Sequence, residues 1–340
     1  MRSILMRNVA DTDGLVEDRA GTNVVTAAAD PLVAVLLASF DGARFLRTQL
    51  ASLAAQSHRN WCLFVSDDGS CDETRTIVAG FASEAGGGRV RLCEGPRRGF
   101  VANFLSLACH AEVDNAHADY FAFCDQDDVW HADKLARALA ALAAAPDEGH
   151  PARLYGGRSR LIDGEGRAMG LSPLFTARPS FTNALVQSYA GANTMVFNAA
   201  AHELLRRCGP LEGVASHDWW LYLLVSGAGG RVVYDPLPAI DYRQHPGNVM
   251  GHNRGWAARL DRLRWFAAGR MRRWNASHAA ALEAHAALLA APNRAALAHF
   301  RRALNGRGLA ALHALGKSGA RRQRPLDNFA LALYALLGRL

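Results

Sequence analysis

Three carboxylates, Asp125, Asp127 and Asp128, follow an apolar run in the stretch Tyr120-Phe121-Ala122-Phe123-Cys124-Asp125-Gln126-Asp127-Asp128-Val129-Trp130. The run from Tyr120 to Cys124 reads as a short buried strand. A strand cannot pair and bury three acids, so they belong to the loop at its C-terminal end. In an open α/β sheet that edge is where ligands bind. Carboxylates this close repel one another unless a cation sits among them, and oxygen donors suit Mg²⁺ or Mn²⁺. The same spacing would also serve a solvated acidic turn ahead of a helix from Lys134 to Ala144. A second pair, Asp67-Asp68, ends the apolar run Trp61 to Val65 and could equally cap the next helix. Asp218 stands in the first turn of a helix opened by Ser216-His217, where a carboxylate is favourable in its own right.

The elements that position these groups are legible around them. Leu32 to Ala38 is a continuous apolar run, typical of a strand buried on both faces, and Ser39-Phe40-Asp41-Gly42 breaks it. Phe45, Leu46, Gln49, Leu50 and Leu53 recur at helical spacing up to Gln56. Trp61–Val65, a helix from Glu73 to Ala85, strand Val90–Cys93 and a helix from Phe100 to Ala111 precede the acidic strand. This order predicts a parallel α/β sheet with right-handed crossovers. Pro146 to Pro151 marks an internal seam. Beyond it come a strand from Leu154 to Leu161, a hairpin at Asp163-Gly164 and the small-residue stretch Ala190-Gly191-Ala192. The helix of Asp218 and the late Tyr242-Arg243-Gln244-His245 follow.

Charge divides the chain. The net charge is +7, yet residues 255–340 hold fifteen Lys or Arg against three Asp or Glu, leaving the first 254 residues at −5. The six cysteines form no Cys-x-x-Cys pair and read as reduced core residues of a cytosolic protein. The few apolar residues at the N-terminus are too short for a signal peptide, and no run approaches a membrane span. Residues 1–30 read as a mobile leader.

Two acidic strand ends in one sheet, together with Ser39-Phe40-Asp41-Gly42, resemble the family 2 inverting glycosyltransferases of the GT-A fold. Phe-Cys-Asp-Gln-Asp-Asp-Val-Trp is most similar to their bacterial rhamnosyltransferase-like branch. The resemblance covers about 31–251. It implies a nucleotide half (31–150), an acceptor half (151–251) and, after them, a basic helical region (252–340). It implies that Ala38, Ser39 and Phe40 hold the nucleotide base with Asp68, and that Asp67 supports that loop. Asp125 and Asp127 match the family's Asp-x-Asp, Asp127 for the metal (Mg²⁺ or Mn²⁺) and Asp125 for the nucleotide sugar. Gly191 and Ala192 fall beside the donor sugar, Asp218 matches the catalytic base, and His245 matches a residue that touches metal or diphosphate. His217 stands where many relatives carry Glu. Arg97 and Arg98 align loosely with a phosphate-binding position, although a solvated basic turn describes them as well.

The implied reaction moves a sugar from a nucleotide diphosphate, dTDP-rhamnose or a UDP-hexose, to a saccharide or lipid-linked acceptor in surface polysaccharide synthesis. Trp219 and Trp220 are candidate walls for a sugar. Two other classes compete. A sugar nucleotidyltransferase would want a Gly-rich basic loop after the first strand, and Ser39 to Arg44 is a poor match. A nucleic-acid binder would use the basic tail, but its arginines alternate with Ala and Leu and few aromatics accompany them, so no nucleic acid is expected. The stretches Arg259–Phe266 and Met271–Trp274 mix Arg with Leu, Trp and Phe, as helices in an anionic membrane interface do. A cytoplasmic enzyme in peripheral contact with the inner membrane face is the expectation.

Overall fold

A computed structural model describes residues 30–86, 88–146, 149–245 and 269–340. Residues 1–29 of the expected leader and the stretch Arg259–Phe266 lie outside the described residues. The chain runs β1 (Val33–Ser39), α1 (Ala43–Ala54), β2 (Trp61–Asp67), α2 (Thr74–Ala85), β3 (Val90–Glu94), α3 (Phe100–Ala108), α4 (Ala111–Asn115), β4 (Tyr120–Asp125), β5 (Val129–Trp130) and α5 (Lys134–Ala143). It continues through β6 (Arg153–Gly157), β7 (Arg160–Ile162), β8 (Ala168–Leu171), α6 (Phe181–Ala184), β9 (Val196–Asn198), α7 (Ala199–Cys208), α8 (His217–Gly227), β10 (Arg231–Asp235) and β11 (Ile240–Arg243). Among the described residues, the helices α9 (Arg270–Ala284), α10 (Ala291–Asn305), α11 (Gly308–Ser318) and α12 (Pro325–Leu336) close it.

Two sheets result. The larger has seven strands in the order β10-β6-β9-β4-β1-β2-β3, and a smaller one runs β5-β11-β7-β8. The expected parallel order of the first strands holds for β3-β2-β1-β4, while β9 enters antiparallel to both β4 and β6. β1 is apolar throughout because both its faces are covered. Ala34 and Leu36 join one core cluster, and Val33, Val35 and Leu37 join the other, on the two-residue period of a strand. The register does the positioning. Ser39 pairs with Asp67 and Ala38 with Asp125, so the ends of β1, β2 and β4 lie side by side at one edge.

Two expectations change in detail. The strand foreseen at Leu154–Leu161 is two strands: β6 belongs to the large sheet and β7 to the small one. The break falls where the N–H of Arg158 turns to Asp235 and that of Ser159 to the Ser172 hydroxyl. β4, before the seam at Pro146–Pro151, and β6, after it, belong to the same seven-stranded sheet. The helix foreseen to Ala111 stops at Ala108, and His110 caps the next by accepting from Glu112 N–H.

The described part of the basic C-terminal region, from residue 269 on, is built into the core. Leu282, Leu297, Phe300 and Leu331 share one cluster with Trp219 to Val225 of α8, and residues 31–340 form one compact unit. Asn293 fixes the approach by donating its Nδ2 to the carbonyls of Ser226 and Gly227. Met271 and Trp274, expected at an outer membrane face, turn inward. Both line the cleft described below, and the Trp274 ring meets Trp219 edge-on at 6.3 Å. No helix among the described residues is long and apolar enough to cross a membrane.

Candidate active site

The ends of β1, β2 and β4 open into a cleft of about 980 Å³. Ala38, Ser39, Phe40, Asp68, Asp125, Asp127, Gly191, Ala192, Asp218 and His245 all line it. Asp67 does not: it is fully buried beneath the wall and accepts from the N–H and hydroxyl of Ser70, from the Ser39 hydroxyl and from Arg75. Buried charge survives only with such partners, and these hold the β2 loop in shape. Asp68 is also largely committed. Its two oxygens accept from the N–H groups of Arg97 (2.6 Å) and Gly99 (2.8 Å), which draws the loop carrying Arg97 to the cleft edge. Arg97 adopts φ +57 there and lines the cleft, whereas Arg98 turns away to pair with Glu212.

Phe40 is 56% exposed, an open apolar face in the cleft mouth. Its backbone is clamped from both sides: its N–H donates to Gln126 Oε1 (2.9 Å) and its carbonyl accepts from Gln126 Nε2 (3.0 Å). The clamp requires Gly42, because a Cβ there would run into the Gln126 amide. Gln126 sits between two aspartates, and only the register reveals that it faces β1.

The acidic stretch divides its labour. Asp127 meets His245, with Nε2 to Oδ2 at 2.7 Å. Asp128 leaves the cleft entirely; it is buried, accepts from Asn193 Nδ2 and from Arg243 N–H, and so ties β4 to the small-residue loop and to β11. Asp125 faces Asp127 and Asp218. Burial first, then those two charges, push its carboxyl up to about 8. Asp218, at the start of α8, accepts from the N–H of Trp219, and burial raises its carboxyl above the usual range. A carboxylate raised in this way is a better proton acceptor.

The flanking residues settle differently. His217 is buried, stacked on Phe104 with centroids 3.9 Å apart, and burial drives its imidazole down to about 3. It is a neutral packing group. Trp220 is a correction: with no exposure it belongs to the core and cannot wall a sugar site. Trp219 lines the cleft, anchored by its indole N–H on the Ala184 carbonyl (2.6 Å). Among the described residues, Cys93, His110 and Glu112 bring potential ligand atoms within 4.8 Å of one another beside the edge strand β3, a cluster that sequence spacing does not betray.

A family model for glycosyl transferase family 2 matches residues 34–204, half of the chain. The chain belongs to that family. It is 25% identical over 233 residues to the dTDP-rhamnosyl transferase RfbG of Shigella flexneri, covering 67% of this chain and 78% of that protein. It is 30% identical over 106 residues to the UDP-Glc:alpha-D-GlcNAc-diphosphoundecaprenol beta-1,3-glucosyltransferase WfgD of Escherichia coli, covering 31% and 39%. Among solved structures, S. aureus TarS 1–349 in complex with UDP-GlcNAc superposes with a TM-score of 0.53 at 16% identity, over 90% of this chain and 88% of that one. The chain is thus a family 2 glycosyltransferase with a GT-A-type α/β sheet and C-terminal helices.

Proposed function

We propose that this family 2 enzyme moves a sugar from a nucleotide diphosphate donor to a saccharide or lipid-linked acceptor, with inversion at the anomeric carbon and with a divalent cation. The carrying observation is that Asp218, raised by burial, shares one cleft with the Asp125–Asp127 pair and with the exposed Phe40. dTDP-rhamnose is the leading donor, in line with the RfbG relative, and a UDP-hexose is next. The product is a surface polysaccharide, assembled at the inner face of the cytoplasmic membrane.

The residues fit a cation. Carboxylates and one imidazole suit Mg²⁺ or Mn²⁺, and Asp125, raised first by burial and then by the charges of Asp127 and Asp218, shares the cleft with those two carboxylates. Asp127 and His245 would hold the ion, and Asp125 would face the nucleotide sugar. Such an ion supplies Lewis-acid stabilisation to a departing diphosphate.

The chain's own groups do the rest. Phe40 offers its open face to the base, at the loop that Asp68 and Asp67 hold. Gly191 and Ala192 keep the wall beside the donor sugar free of large side chains. The acceptor hydroxyl oxygen attacks the anomeric carbon as the bond from that carbon to the diphosphate oxygen breaks. Its proton passes to an oxygen of Asp218, a step worth about 10²–10⁴ in rate. One in-line displacement with one base inverts the centre.

The test is incubation of the full chain with nucleotide sugars and Mn²⁺. Release of nucleoside diphosphate supports the proposal. Release of pyrophosphate from a nucleoside triphosphate and a sugar phosphate would make the chain a nucleotidyltransferase instead.

A further inference from the structure

α12 is apolar on two opposite sides. Leu331 and Ala335 face the core, with Leu340 buried behind them. Leu326, Phe329, Leu333 and Leu336, spaced three, four and three residues apart, share the outer face with Leu337. Leu326 is 84% and Phe329 74% exposed. At the far end of the helix Gly338 abuts Arg307, which leads into α11. A helix apolar all round is normally covered on all sides, and exposed apolar patches of this kind mark interaction sites.

The rim of the patch is basic. Arg321 and Arg324 lie exposed ahead of the helix, and Arg307 and Arg339 lie exposed at its other end. Arg272 donates to the Gly338 carbonyl there (2.8 Å). The sole acid of α12 is Asp327. An apolar centre between two cationic ends matches an anionic bilayer, where Leu and Phe enter the acyl boundary and Arg meets the phosphates. A second copy of the same face would set Arg against Arg in either orientation, so the rim disfavours self-pairing.

We propose that the outer face of α12 docks the enzyme on an anionic lipid surface and sets the mouth of the cleft at the headgroup layer. The link to the cleft is direct. The segment entering α12 is bonded to the cleft wall: Gln323 N–H donates to Gln187 Oε1 (2.9 Å), and Asn183 Nδ2 donates to the Arg321 carbonyl (2.9 Å). Gln187 and Arg322 both line the cleft. That docking serves a lipid-linked acceptor rests on the function proposed above; the docking itself does not.

The experiment is sedimentation of the full chain with phosphatidylcholine vesicles, with and without phosphatidylglycerol, at low and high salt and without sugar donor. Binding should be at least about tenfold tighter on the anionic vesicles and should weaken with salt. Leu326→Glu with Phe329→Glu should abolish it while donor binding persists. Arg321→Glu with Arg324→Glu, at exposed side chains, should remove the preference for anionic lipid even where the first variant folds poorly. Failure of the wild type to pellet with anionic vesicles, or equal pelleting of wild type and both variants, overturns the proposal. So does a vesicle-free dimer that the Leu326/Phe329 variant converts to monomer. Lipid binding by a chain that releases no diphosphate upholds the docking face and defeats only the transfer reading.

Discussion

His245 and Asp127 lie 118 residues apart in the chain and 2.7 Å apart in the cleft. β11 delivers the histidine from the small sheet, and Arg243 secures the approach by donating its Nε to the Asp127 carbonyl (2.9 Å). The acidic loop and the late histidine are thus one unit. Asp127→Ala should remove cation-dependent turnover while leaving the fold intact, and His245→Ala should raise the Mn²⁺ concentration needed for half-maximal rate. Chelation should silence the wild type, and added Mn²⁺ should restore it. Steady-state rates against Mn²⁺ concentration decide, and full activity in excess chelator contradicts the assignment.

Asp218 separates chemistry from binding. Asp218→Asn keeps size and the bond from Trp219 N–H but cannot take a proton. Its kcat should fall by about 10²-fold or more, with donor affinity little changed. Single-turnover kinetics with equilibrium donor binding check this. Near-normal kcat would move the base to another carboxylate.

The Gln126 clamp predicts a packing effect with a functional readout. Gly42→Ala should force the Gln126 amide off the Phe40 backbone and cost about 1–3 kcal/mol of stability. Nucleotide affinity should fall with it. Gln126→Ala removes the same two hydrogen bonds, so the double variant should lose less than the sum of the singles. Denaturant melts of the three variants measure the coupling, and simple additivity would show that the two residues act apart.

Acid should loosen the protein through its buried histidines. His278 accepts from the Ala215 N–H at 3.0 Å (Nε2), and burial lowers it to about 3. A group held below its unfolded value, about 6.5, contributes fully above that pH and progressively less as pH falls toward 3. The slope is at most about 1.4 kcal/mol per pH unit for each such group, and His217 behaves alike. His278→Gln should therefore flatten the loss of thermal stability between neutral and mildly acid pH. An unchanged slope would mean that other groups take up the protons on unfolding.

Much of this was legible in advance for a physical reason. Strands covered on both faces must be apolar throughout, so β1, β2 and β4 announce themselves, and the acids that end them can lie only at the sheet edge. What escaped depends on register and distance. Gln126 and Asp128 look like their neighbours Asp125 and Asp127 in sequence, yet one clamps β1 and the other is buried against Asn193. The run at Leu154–Leu161 carries no signal that it changes sheets midway. Met271 and Trp274 have the composition of an interfacial helix, and only packing shows them facing the cleft. α12 misleads the other way, since periodicity cannot say which of two apolar faces is covered.

The proposed function requires that one cleft bind a nucleotide diphosphate sugar through Asp127, His245 and a divalent cation. Thermal unfolding of the full chain with dTDP-rhamnose and UDP-glucose, each with Mn²⁺ and with chelator, tests it most directly. A ligand bound only to the folded state stabilises by mass action, about 2.7 kcal/mol at a concentration of 100 Kd. At least one donor should raise the melting temperature with Mn²⁺, and the rise should vanish in chelator and in Asp127→Ala. An equal rise in chelator, or no rise with either donor, would contradict it.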